Sequence, residues 1–157
     1  MENFFDYTTL DLVLRLVIAM ICGMIIGTER TLAHKTAGMR TCALVSLGAA
    51  LFVAISEYFM QSSGVGAGVD PMRMASQVVA GVGFLGAGII FMRDNQVAGV
   101  TTASSIWVAA GIGIACGFAL YALAIYATII TLFIFVVLWS VEQKFRNMKF
   151  YDESQLK

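Results

Sequence analysis

Residues 97–141 read VAGVTTASSIWVAAGIGIACGFALYALAIYATIITLFIFVVLWSV, without one Asp, Glu, Lys or Arg. A helix advances about 1.5 Å per residue, so roughly 20 apolar residues cross the hydrocarbon core of a bilayer. This run is too long for a single crossing. It therefore reads as two membrane helices, 97–116 and 118–141, broken near Cys116-Gly117, where glycine makes a tight turn cheap. Working toward the N-terminus, apolar stretches at 74–92, 41–58 and 12–28 each approach the same length. The expected fold is all-α: a polytopic membrane protein of about five transmembrane helices. One transmembrane domain spans residues 1–157, and 142–157 form a cytoplasmic tail.

Composition agrees. Hydrophobic residues make up 59% of the chain, charged residues 13%, and the mean hydropathy is +0.84, which a soluble domain of this length could not bury. The formal net charge is zero, so the basic face that nucleic acid requires is absent and nucleic-acid binding drops out. Cys22, Cys42 and Cys116 lie in or at the ends of apolar runs, without CxxC spacing or a neighbouring histidine. They read as packing residues, and no metal or cofactor set is assigned. The first residues, MENFFDYTTLD, lack the basic region of a secretory signal, so the first span is expected to be retained. Ser104 and Ser105 belong to no GxSxG motif and no nucleophile and base can be paired, so the chain does not read as an enzyme. Gly81, Gly83 and Gly86 spell GxGxxG, but inside a span that pattern has neither the preceding strand nor the helix N-terminus that dinucleotide binding needs.

Basic residues set the orientation. Arg30, Lys35 and Arg40 lie in or beside the first loop, Arg93 in the third, and Lys144, Arg146 and Lys149 in the tail. The N-terminus is therefore expected outside and the C-terminus in the cytoplasm. Small residues at four-residue spacing let backbones approach closely where lipid offers no hydrophobic drive. Gly23 and Gly27 in the first span, Gly81, Gly83 and Gly86 in the third, and Gly113 and Gly117 in the fourth are the candidates. They serve either packing within the chain or a homodimer seam.

Ionisable groups beside a span are functional candidates. Topology sorts them into two groups. On the cytoplasmic side are Glu29, Arg30, Arg40, Thr41, Arg93, Asp94, Thr101 and Thr102. They form either an ion-pair network or, with the free N–H groups at the start of the fourth span, a site for an anion or a partner's carboxylate. On the outer side are Arg15, Glu57, Asp70, Arg73 and Gln77, with Asp11 nearby. Asp70 before Pro71 suits a helix cap, the alternative being a metal ligand beside Glu57. Arg15 and Gln77 lie about one turn or more inside their spans, which calls for cross-helix pairing or a wet cavity.

Several blocks in order resemble the membrane domain of the bacterial MgtC/SapB family. IGxER and AGxRT map onto Ile26, Gly27, Glu29, Arg30, Ala37, Gly38, Arg40 and Thr41. DPxR, GxGFLGAG and GxTTA map onto Asp70, Pro71, Arg73, Gly81 to Gly88 and Gly99 to Ala103. The resemblance implies a multi-pass protein of the bacterial inner membrane, linked in some members to growth in scarce magnesium. It also implies a regulator or stress-adaptation protein acting on itself or on another membrane complex, with the F-type ATP synthase as one candidate partner besides the lipid bilayer. The alternative is a transporter or channel component for a small ion such as Mg²⁺. Because the chain stops soon after the fifth span, it is expected to resemble the short members, without the soluble C-terminal domain of longer ones.

Overall fold

The computed structural model describes residues 7–62, 70–93 and 96–145. Among them are five helices long and apolar enough to cross a membrane. Helix α1 covers Tyr7–Leu32, α2 Met39–Ser62, α3 Pro71–Ile89 and α4 Val100–Gly117. Helix α5 begins at Tyr121, passes through a π-helical turn at Ile134–Leu138 and continues to Phe145. The chain is thus a polytopic α-helical membrane protein.

Local chemistry explains the helix ends. At the close of α1, the Thr31 hydroxyl donates to the Gly27 carbonyl at 3.0 Å and accepts the Met39 N–H at 3.0 Å. One side chain thereby ties the end of α1 to the first orphan donor of α2. Asp70 is the N-cap of α3: its extended backbone precedes Pro71, and its carboxylate accepts the Met72 N–H at 2.9 Å. The cap supplies an acceptor for the Met72 N–H, while the Arg73 N–H donates to the Asp70 carbonyl at 3.0 Å.

Between α3 and α4 the structure departs from the sequence reading. Strands β1 (Phe91–Arg93) and β2 (Gln96–Ala98) form an antiparallel hairpin, with Met92 opposite Val97. The third span therefore stops at Ile89 and the fourth starts at Val100. The expected boundaries at 92 and 97 counted apolar strand residues as helix. Gly99 follows with φ of 90°, close against the Ile89 carbonyl, so the hairpin returns the chain directly beside the end of α3. The turn after α4 falls at the anticipated place. Ala119 adopts a left-handed backbone, and the N–H groups of Phe118, Ala119 and Leu120 donate to the Ile114, Cys116 and Ala115 carbonyls.

Helices α1, α2 and α4 form the core, with α3 and α5 packed on its flanks. Glycines set the spacing. A Cβ on Gly23 would stand 2.5 Å from the Cys42 carbonyl oxygen, and one on Gly27 2.5 Å from the Met39 Cα. Further along the same face of α2, a Cβ on Gly113 would meet that of Ala49 at 2.8 Å, and one on Gly117 that of Val53 at 2.7 Å. One face of α2 thus seats against the glycines of both α1 and α4, with Ser46 touched by both helices, and there backbones approach within dispersion distance. Cys22, Cys42 and Cys116 are buried free thiols in this core.

Glycines of α3 behave differently. Gly86 faces Ala103 of α4, with 3.6 Å from its would-be Cβ to that side chain, but Gly81 and Gly83 face open space. The expectation that all three pack against a neighbouring helix holds within the chain only for Gly86, because α3 is an outer helix of the bundle and touches it along one face. The final helix runs on through residue 145.

Candidate functional site

Two polar clusters lie at opposite ends of the bundle. The first centres on Arg15, in the third turn of α1. Its guanidinium donates to Asp11 one turn earlier, Nε to Oδ2 at 2.8 Å, with Nη2 at 2.7 Å from the same oxygen. Nη1 pairs with Glu57 of α2 and donates to the Gly117 carbonyl at 2.8 Å. The Tyr121 hydroxyl, at the start of α5, donates to Asp11 Oδ1 at 3.4 Å. One side chain, only 12% exposed, therefore joins α1, α2 and the α4–α5 turn.

The chemistry follows from burial. A guanidinium taken from water into a helix bundle needs its charge and its donors matched. Here two carboxylates and an orphan helix-end carbonyl supply the match. The two carboxylates exceed the one guanidinium, so the cluster carries a net formal charge of −1 on its more exposed, Asp11 side.

The sequence reading grouped Arg15 and Glu57 with Asp70, Arg73 and Gln77. Arg15 and Glu57 do meet, but the other three stand apart. Asp70 is occupied by its cap, while Arg73 and Gln77 are exposed and make no hydrogen bond or ion pair through their side chains among the described residues. The missed member is Tyr121. Its position at the head of α5, next to a predicted turn, was the available signal.

The second cluster centres on Arg30, which is 4% exposed near the other end of α1. Its guanidinium is held by Glu29 in a two-pronged pair, with Nη2 to Oε1 at 2.7 Å. Neighbouring residues on a helix ordinarily diverge. Here the buried cation draws the adjacent carboxylate toward it, since an uncompensated charge would cost far more than the bent rotamer. The Phe135 ring covers the guanidinium at 3.7 Å, a cation–π contact strengthened by exclusion of water. Phe135 lies within the π-helical turn of α5. One extra residue per turn locally changes the side-chain phase, and Phe135 is the buried residue of that turn. No sequence signal marks such a turn.

The expected connected site of Glu29, Arg40, Thr101 and Thr102 is not joined by hydrogen bonds or ion pairs among the described residues. Glu29 is committed to Arg30. Arg40, Thr41 and Thr101 are exposed, and Thr102 is buried with its carbonyl accepting the Ser105 hydroxyl at 2.7 Å. The Arg93 side chain and Asp94 lie outside the described residues. Ser104 likewise bonds back, to the Val100 carbonyl at 3.0 Å.

Two further features complete the polar and open surface. Ser46 sits where Gly23 and Gly113 close on α2, fully buried, and its hydroxyl has no partner among the described residues. A groove of about 490 Å³ runs between α2 and α3, lined by Leu44, Gly48, Phe52, Gln77, Gly81 and Leu85 among others. Its walls are apolar except for Gln77.

A five-span helical bundle braced by an embedded arginine at each end defines the class: a multi-pass membrane protein. The sequence profile of the MgtC family matches residues 16–144, and the chain belongs to that family. It is 40% identical over 145 residues to the Escherichia coli (strain K12) protein named "Putative magnesium transporter YhiD", covering 91% of this chain and 67% of the relative. It is 38% identical over 143 residues to "Protein MgtC" of Salmonella typhimurium (strain LT2), covering 91% of this chain and 59% of the relative. The chain thus spans about two thirds or less of the length of these relatives. No solved structure matches.

Proposed function

We propose that the chain is a membrane-embedded regulator or stress-adaptation protein of the bacterial inner membrane, working through helix contacts rather than through ion flux. Its N-terminus faces outward and its C-terminus the cytoplasm, as the basic residues of the loops favour. The carrying observation is how the span-embedded charges are spent. Arg15, Glu57, Glu29 and Arg30 are matched to one another or to helix ends, and the α2–α3 groove is lined by apolar side chains apart from one amide. A path for a hydrated cation calls for polar groups facing a shared cavity; a laterally open apolar groove suits a helix or a lipid. The reading assigns no catalytic step to any residue.

A second reading, transport of a small ion such as Mg²⁺, draws on the name of the YhiD relative and on the extra carboxylate at the Arg15 cluster. One experiment separates the two. Purified protein is reconstituted into vesicles loaded with a Mg²⁺-sensitive dye, and in parallel is cross-linked mildly in native membranes. The regulatory reading expects dye signals equal to protein-free vesicles together with a specific co-purifying membrane complex, the F-type ATP synthase being one candidate. Protein-dependent Mg²⁺ influx would establish the transport reading instead.

A further inference from the structure

The dimensions of the α2–α3 groove limit what can enter it. On α3 its lining runs from Met74 to Leu85, and on α2 from Leu44 to Phe52. At about 1.5 Å per residue the α3 wall is roughly 16 Å long, so the groove's 490 Å³ correspond to a cross-section of about 30 Å². A helix with its side chains is about 10–12 Å across, a cross-section of roughly 80–110 Å². A helix can lie over the groove but cannot enter it, whereas a single extended hydrocarbon chain can. Two glycines make the room: Gly48 and Gly81 line the groove, and a Cβ built on either meets nothing within 4 Å.

Polarity is graded along the same line. Arg73 precedes Gln77 by four residues on α3, so it stands one turn nearer the helix end on the same side. It is exposed, and its side chain makes no hydrogen bond or ion pair among the described residues. The neighbouring Asp70 carboxylate is engaged with the Met72 N–H. Side chains on a helix lean toward its N-terminus, which carries this guanidinium toward the headgroup layer at the end of the span. From the end of α3 inward, the surface therefore offers a cation, then an amide, then apolar walls.

We infer that the groove is a binding site for one phospholipid. Its phosphate pairs with Arg73, an ester carbonyl accepts from the Gln77 amide, and one acyl chain lies between Gly48 and Gly81. A phospholipid presents an anion, ester carbonyls and hydrocarbon in that order, which is the order of the groups along α3. The site holds whether the chain regulates or transports.

The test uses the full chain in phosphatidylcholine vesicles doped with phosphatidylglycerol that carries a photoactivatable diazirine in one acyl chain, with adducts mapped by peptide mass spectrometry. Labelling of residues 44–52 and 74–85 should saturate and be displaced by unlabelled phosphatidylglycerol, while labelling of the exposed face of α5 should rise in proportion to the probe. Gly48→Leu and Gly81→Leu put a side chain where the acyl chain would lie, and each should lower groove labelling about tenfold. Arg73→Gln should weaken binding about fivefold, the weight of one basic side chain at an anionic surface. Diacylglycerol with the same diazirine chain but no phosphate should bind the parent as weakly as phosphatidylglycerol binds Arg73→Gln. Groove labelling that does not saturate and ignores both leucine substitutions is bulk lipid alone and overturns the site, and equal binding of the two probes by the parent overturns the phosphate contact and the proposal with it. Labelling present in vesicles but lost in native membranes would mean that a protein covers the groove, which also overturns it. Thermal unfolding of both leucine variants in detergent should match or exceed that of the parent, because leucine outranks glycine in a helix; this separates lost binding from lost folding.

Discussion

Gly113→Ala tests how tightly α2 and α4 are packed. The added methyl would stand 2.8 Å from the Ala49 Cβ and closer still to the Ser46 backbone carbonyl. Carbon atoms prefer about 3.5–4.0 Å, so the helices must part by roughly 1 Å. A flexible side chain could swing away, but a helix backbone cannot. The cost should thus reach the upper part of the overpacking range, about 3 kcal/mol. Alanine recovers at most about 1 kcal/mol of helix propensity over glycine, leaving a net destabilisation of about 2 kcal/mol. Gly111, two residues away on the same helix, has nothing within 4 Å of a built Cβ. Gly111→Ala should therefore be neutral or slightly stabilising. Reversible unfolding in mixed detergent micelles, followed by helical circular dichroism, measures both. If the two substitutions shift stability equally, the close α2–α4 contact at Gly113 is refuted and only helix propensity is being read.

Other perturbations address single contacts. Arg15→Met leaves Glu57 and Asp11 without their shared cation and the Gly117 carbonyl without its donor, so the bundle should lose about 3 kcal/mol in the same unfolding measurement; a loss below 1 kcal/mol would reduce the cluster to a solvated surface pair. Phe135→Leu keeps an apolar cover but removes the ring over Arg30, and should cost about 1–2 kcal/mol, with faster cleavage of the Arg30 end by trypsin as the readout. Ser46→Ala deletes a buried hydroxyl that has no partner among the described residues, so it should stabilise the protein by up to about 1–2 kcal/mol; a fall in stability would show that the hydroxyl has an acceptor after all. Arg40 is exposed, so Arg40→Ala should leave the membrane level unchanged on immunoblots, whatever it does to a growth phenotype in low magnesium.

The number of crossings, the break near Cys116-Gly117 and the Asp70-Pro71 cap were legible from the chain because each is a local property. Apolar length, glycine at a turn and a capping side chain act within a few residues of themselves. Family membership was legible for a similar reason, since it rests on the order of short blocks. The hairpin was not legible, because hydrophobicity around Met92 and Val97 is shared by strand and helix.

Only the tertiary structure decided which polar groups meet. Arg15 and Glu57 are 42 residues apart, and the four-residue spacing of the glycines could not say which faces turn inward. The same motif is a tight interface in α1 and α4 and an open surface in α3. Likewise, nothing local told Arg30 to choose Glu29 under Phe135 rather than leave Glu29 to Arg40. That choice depends on the π-helical turn bringing an aromatic ring over the cation, and on how little water remains once α1 and α5 pack. Sequence determines what each helix offers; burial and phase at the contact determine which offers are taken.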